Sequence, residues 1–368
     1  MTTTQEAELV ILDYEEVTGP SSSNNNQEAT SLLARLDKAF GSQGFGIIGI
    51  RNVPGFVQAK QDVLSLAHPL AHLGESQLKE LEDPTSLYNA GWSHGREKLR
   101  KDVPDTAKAS FYFNPITDMP GTADDRAQYP VSYPPNKWPS AGLPALEPAA
   151  KHLGCLMKEV AVHLAKHIDA YASQQNKEYP PDTLYKTMKD TEKVKGRLLY
   201  YYPLEEQQHQ GEADSWNSWH NDSGFLTALA GDMYLTPSGT MLEDSTCPNA
   251  GLYITDRNDV VRKVTIPKDC MAIQIGECTQ IITGGAVVAT PHCVQGAPNL
   301  ARASLACFID TPPTFPLNIP NPDQMSQLSA TSTSSRVPPL LERWKDGMTF
   351  GDFLGATFQM YYDYNNNS

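Results

Sequence analysis

The alternation of apolar and polar positions changes its period once along this chain, near Arg197. Before that point the spacing is mostly helical. Leu32, Leu33, Leu36 and Phe40 recur three and four residues apart, predicting a helix over Glu28–Phe40 that Gly41 can stop. Val57–Leu81 reads as helix interrupted by His68-Pro69, and Ala145–Ala172 is the longest helical candidate. Val10–Asp13 predicts an edge strand, and Phe45–Ile50 is apolar enough for a buried one. Pro20–Gln27 has too few apolar residues to pack and predicts a mobile loop. Gly91–Glu97 and Ser110–Phe113 lie in a proline-rich stretch with little periodicity, read as strand and loop structure.

From Arg197 onward the runs are short, β-branched or aromatic, and punctuated by Gly, Pro, Asp and Asn. They are Leu198–Tyr202, Phe225–Leu229, Leu252–Thr255, Val260–Ile266, Met271–Ile275, Val287–Thr290 and Ala303–Ile309. This texture favours an antiparallel double-sheet jelly roll or a related barrel. The fold class expected is therefore mixed α/β with a mainly β core flanked by helices. Gln324–Val337 is Ser/Thr-rich and reads as a surface loop, Leu340–Met360 as a closing helix, and Asn365–Ser368 as a fraying end. Three regions result: 1–185, helices and strands; 186–320, the jelly-roll core; 321–368, a loop and a closing helix. No internal repeat is visible.

The chain has 368 residues, 40% hydrophobic and 20% charged, enough to bury a large core in one elaborated domain or two closely joined ones. A formal charge of -14 argues against nucleic acid as a partner, because counterion release needs clustered Lys and Arg. It offers equally little to an anionic membrane surface. The first residues carry neither a basic region nor an apolar run, and no stretch approaches the roughly 20 apolar residues of a membrane span. Six scattered cysteines without a Cys-x-x-Cys pair fit reduced thiols. A soluble, cytoplasmic protein acting on a small molecule is the expectation.

The candidate chemistry lies in Trp219-His220-Asn221-Asp222-Ser223-Gly224 and Thr290-Pro291-His292-Cys293-Val294. Two histidines and one carboxylate suit ferrous iron, occupying one face of an octahedron and leaving the opposite positions open. Residues two apart in a strand point the same way, so His220 and Asp222 can reach one ion. His292 must then arrive from a distant strand. Zinc binds similar sets, but the His-Glu-x-x-His signature is absent and no water-activating Glu is marked. Arg302 and Ser304 repeat the two-residue spacing and suit a carboxylate, bound bidentately by the guanidinium with a further bond from the hydroxyl.

The ordered set His220-x-Asp222, His292, then Arg302-x-Ser304 resembles the iron(II)- and 2-oxoglutarate-dependent oxygenases of the isopenicillin N synthase-like group. His220-Asn221-Asp222-Ser223-Gly224-Phe225-Leu226-Thr227 is similar to that family's first-ligand strand and its continuation. Gly251-Leu252-Tyr253-Ile254, Ile275-Gly276-Glu277 and Thr283-Gly284-Gly285 resemble its middle strands and turns, and Ser42–Ile48 the start of its N-terminal region. The resemblance covers most of the chain. It implies Fe(II), 2-oxoglutarate and molecular oxygen as cofactors and co-substrates, with succinate and carbon dioxide as products. It gives His220, Asp222 and His292 to the metal, and Arg302 and Ser304 to the distal carboxylate of 2-oxoglutarate. Tyr202, directly before Pro203, is the best match to the family's tyrosine on that carboxylate, although Tyr200 stands where the commonest plant pattern has Asn. Hydroxylation of a small organic metabolite is the default outcome; desaturation, demethylation or ring closure would use the same residues.

Two alternatives remain open. An oxidase of the isopenicillin N synthase or amino-cyclopropane carboxylate oxidase type uses no 2-oxoglutarate, and its Arg-x-Ser holds a substrate carboxylate. A non-catalytic binding module could retain the pocket without turnover. On the substrate side, Phe308 and Asp310 continue the strand parity of Arg302 and Ser304, while Trp216, Trp219, Phe111 and Phe113 are candidate apolar walls. A mainly apolar or aromatic metabolite follows from them. His163/His167 and His68/His72 are one helical turn apart and read as solvated helix faces. Glu205–Glu212 reads as a solvated loop bordering the pocket entrance.

Overall fold

The structure, a computed structural model, describes residues 5–19, 26–96, 98–100, 103–204, 216–332 and 334–367. In chain order its strands are β1 (Val10–Asp13), β2 (Ile47–Arg51), β3 (Gly91–His94), β4 (Lys98–Arg100), β5 (Val103–Pro104), β6 (Lys108–Phe113) and β7 (Val194–Tyr201). They continue with β8 (Asn217–His220), β9 (Leu226–Leu235), β10 (Gly251–Thr255), β11 (Val261–Val264), β12 (Met271–Ile275), β13 (His292–Gln295) and β14 (Ala301–Ile309). Eight form one sheet, ordered β1-β2-β12-β9-β14-β7-β6-β3, and four form a second, β11-β10-β13-β8. Only the β1–β2 pairing is parallel among these ladders. The result is a mixed α/β protein with a large, mostly antiparallel β core and flanking helices.

Alternation along the central strands sorts their side chains between two cores. On β14, Ala301, Ala303, Leu305, Cys307 and Ile309 join a cluster shared with the long helix Leu146–Gln175, whose Leu153, Met157, Val160, Leu164 and Ile168 are fully buried. Arg302, Ser304, Ala306 and Phe308 alternate with them and line a cavity on the other face. The smaller sheet covers that face, and Leu199, Tyr201, Leu252, Ile254 and Val294 pack between the two sheets. One face of the large sheet therefore supports, and the other receives.

The helices follow the apolar spacing with local differences. Asn26–Phe40 is helical, with Leu36 and Phe40 buried at its core-facing stripe; Pro20 to Asn25 of the expected loop lie outside the described residues. The segment expected as one interrupted helix is three: Phe56–Leu64, Ala67–Ala71 and Glu75–Leu81. Pro69 sits in the first turn of the middle one, where its missing N–H costs nothing, so it is not the break. Val287–Thr290 is not a strand; it runs without a ladder partner into β13. Met325–Thr331, inside the expected surface loop, is helical because Leu328 is drawn fully into the core. The closing helix is two, Leu340–Arg343 and Phe350–Asn367, separated at Gly347, whose φ of 89° an L side chain rarely adopts. Its second part continues through Asn365, where fraying was expected. No helix among the described residues is long and apolar enough to cross a membrane.

Candidate active site

β8 is short and irregular, and the irregularity makes the site. His220 pairs with His292 and Asn217 with Val294, so Ser218 and Trp219 together oppose Cys293. This bulge turns both Asn217 and His220, three residues apart, toward the cavity, which strict alternation would forbid. β8 ends at His220, and Asp222 lies on the irregular segment beyond it, so continued strand parity is not what aims its carboxylate. Backbone and side-chain anchors do so instead. The Glu277 N–H donates to Asp222 O at 2.8 Å, the Asn221 N–H donates to the Tyr361 hydroxyl at 3.0 Å, and Asn221 Nδ2 donates to Glu277 Oε1 at 2.8 Å. Glu277 is itself held by Arg343 through bonds of 2.6 and 2.8 Å, both side chains fully buried.

His220, Asp222 and His292 each offer one ligand atom, all within 4.8 Å of one another. Nδ1 of His220 faces Ser218 O at 2.8 Å and Nδ1 of His292 faces Thr290 O at 3.1 Å. Those carbonyls favour a proton on Nδ1, which leaves the Nε2 lone pairs for an ion. Burial, then the adjacent His292 ring, pushes the His220 imidazole well below its ordinary pKa, so it stays neutral as a ligand must. Asp222 Oδ2 is buried without a hydrogen-bond partner, and Nε2 of His292 stands 3.9 Å from Oδ1. A buried carboxylate oxygen lacking a partner is costly, and a bound cation removes that cost. The donor set fits a divalent metal of the two-histidine, one-carboxylate type.

The cavity lies between the sheets and opens to solvent, with about 670 Å³ of empty space when its open mouth is included. Besides the triad its lining includes Arg197, Tyr201, Asp232, Arg302, Ser304 and Phe308. Arg302 is buried, with its guanidinium 4.8 Å from the centre of the Tyr201 ring. Its Nε donates to Asp232 Oδ1 at 2.7 Å and its Nη2 pairs with the same oxygen, while Nη1 is buried without a partner. Burial works against the charge, yet the Asp232 carboxylate beside it holds its proton more firmly than usual. The Nε/Nη2 edge of the guanidinium is therefore occupied by the chain itself, and the Nη1/Nη2 edge with Ser304 remains for an incoming carboxylate.

Several expected residues stand elsewhere. Tyr202 does not line the cavity: β7 presents Arg197, Leu199 and Tyr201 inward, and Tyr202 lies with Tyr200, His72 and His94 at ring separations of 4.9, 6.4 and 5.0 Å. Arg302 is flanked by Tyr201 on β7 and Tyr234 on β9. Asp310 is also outside the lining; its Oδ1 accepts from the Phe225 N–H at 3.0 Å. Gly224 permits this approach, since a Cβ there would stand 2.1 Å from that oxygen. Asp310 thus ties the end of β14 to the segment after Asp222. Trp219, on the bulge, lies under the Arg336 guanidinium at 4.8 Å rather than in the cavity. Trp216 is a wall behind Tyr201 at 5.2 Å, whereas Phe111 and Phe113 join Trp138 in the helix-side core. His167, expected on a solvated face, is buried and bonded to Val17 O at 2.9 Å. Glu205–Glu212 lies outside the described residues.

Asp232 is one of several lining residues that sequence reading missed, with Arg197, Tyr201, Asn217, Thr227 and Gln274. The signal for Asp232 was present. Leu226, Ala228 and Ala230 share the helix-side core, and the next members are Met233 and Leu235, a three-residue step that marks a bulge at Gly231-Asp232.

No protein-family model matches the chain, and no curated protein matches it in sequence. Solved structures do match. A full-length Neurospora crassa protein in complex with α-KG superposes with a TM-score of 0.66 over 96% of each chain at 18% identity. A Caulobacter crescentus putative 2OG-Fe(II) oxygenase family protein gives 0.67 over 95% of this chain and 98% of that one, at 17% identity. The rice dioxygenase for auxin oxidation gives 0.61 over 96% and 95%, at 18% identity. The chain has the fold of these three proteins.

Proposed function

We propose that this protein is an iron(II)- and 2-oxoglutarate-dependent oxygenase that oxidises, by default hydroxylates, a small organic molecule. The observation that carries the reading is the coincidence in one cavity of the three-ligand cluster and a buried arginine with an unpartnered Nη1. His220, Asp222 and His292 would hold the iron, and Arg302 with Ser304 the distal carboxylate of the keto acid. In such a site the metal supplies oxygen activation coupled to oxidative decarboxylation of the keto acid, giving succinate and carbon dioxide. The chain's own part is positional. The two imidazoles and the carboxylate fix one face of the coordination sphere, and Arg302 fixes the far end of the co-substrate. The two sheets, read as the halves of a double-stranded β-helix, keep the reacting centre away from bulk water.

Phe308 and Arg197 line the cavity with the triad, on the face of the sheet that also carries Arg302. We assign the primary substrate to that end. The fold neighbours include the Neurospora crassa protein in complex with thymine and JOX2 in complex with JA, both small molecules. The three regions 1–185, 186–320 and 321–368 then serve as support, catalytic core and closure.

The test is release of labelled carbon dioxide from 2-oxoglutarate labelled at its first carbon. Slow uncoupled turnover should be detectable without the primary substrate, and it should require both iron(II) and oxygen. Release that is absent with iron(II), oxygen and a metabolite extract present would refute the proposal.

A further inference from the structure

The arginine end of the cavity contains a second carboxylate that binding a keto acid does not require. Asp232 is brought there by the β9 bulge, where two residues, Gly231 and Asp232, stand opposite Ser304 of β14. Its Oδ1 accepts from Nε and Nη2 of Arg302, and Oδ2 accepts from the Tyr234 hydroxyl at 3.2 Å. Both residues line the cavity, and with Arg302 7% exposed and Asp232 31% exposed the guanidinium is the more buried partner.

A buried guanidinium without an anion is strongly destabilising. Without co-substrate, Arg302 therefore needs a counter-charge, and Asp232 is the one in contact with it. An incoming carboxylate meets an already neutralised pair whose Nε/Nη2 edge is taken, and it must sit beside a like charge. We infer that Asp232 is a built-in counter-anion of Arg302, competing with the distal carboxylate of the keto acid and setting its affinity. The inference rests on the reading of this site as a 2-oxoglutarate site. Binding and stability are linked: a variant without the Asp232 charge loses stability when empty and recovers more on ligand binding.

The experiment is calorimetric titration of 2-oxoglutarate into the full chain loaded with iron(II) under nitrogen, beside thermal unfolding without the keto acid. Asp232→Asn removes the charge at nearly constant volume; Asp232→Ser, which keeps an oxygen for Nε, is the second variant if the first does not accumulate folded. Both should unfold at lower temperature when empty, and both should bind 2-oxoglutarate at least about tenfold more tightly, ~1.4 kcal/mol. Unchanged or weaker binding in the variants, with normal binding by the natural chain, overturns the role of Asp232 alone. No binding by the natural chain overturns the keto acid site, and the role of Asp232 falls with it.

Discussion

At the scale of single residues, the site depends on a few polar groups whose positions alternation alone does not dictate. Arg302 and Ser304 were legible because β14 is regular and their spacing of two survives folding intact. His220 and Asp222 were legible as residue types, but the reason they meet is a bulge and a strand end rather than shared parity. Tyr202 stands outside the cavity because adjacency to Pro203 says nothing of ladder register; pairing with Arg302 places Tyr201 inward. Arg302→Leu should leave iron binding intact while 2-oxoglutarate affinity falls. Losing a hydrogen bond to a charged group typically costs ~1.5–3 kcal/mol, more than tenfold in affinity. Anaerobic titration of the iron-loaded variant checks this, and an unchanged midpoint would remove Arg302 from the co-substrate site.

At the scale of elements, the segment that carries His220 and Asp222 is held by parts of the chain remote in sequence. Glu277 opens the short helix Glu277–Ile282, Arg343 ends Leu340–Arg343, and Tyr361 lies on Phe350–Asn367. Together they fix Asn221 and the Asp222 carbonyl. Nothing in the local pattern announced this. A buried ion pair between residues 66 apart leaves no periodic trace, and Leu340–Met360 read only as a closing helix. Removing Arg343 strands the Glu277 carboxylate in the core. Arg343→Met should cost about 3–5 kcal/mol of stability, read by denaturant unfolding. It should also weaken iron binding, by roughly the 10–100-fold typical of losing an outer-shell partner. Loss of stability with unaltered iron affinity would confine the network to a structural role.

At the scale of the whole molecule, two sheets enclose one cavity, and the long helix Leu146–Gln175 stiffens the sheet that carries Arg302. The broad division into helix-spaced and strand-spaced halves was legible because burial on one face imposes its period on the sequence. Recruitment of β1, β2, β3 and β6 into the large sheet was not, since long-range pairing leaves no local signature. The central claim is that this architecture brings His220, Asp222 and His292 to a single metal ion. Equilibrium binding of iron(II) under nitrogen, in the natural chain and in Asp222→Ala, tests it most directly. One iron per chain is expected in the natural protein. The variant should keep its metal-free unfolding temperature but lose affinity by more than the roughly 100-fold upper range of outer-shell changes. Equal stoichiometry and affinity in the two proteins would contradict the account.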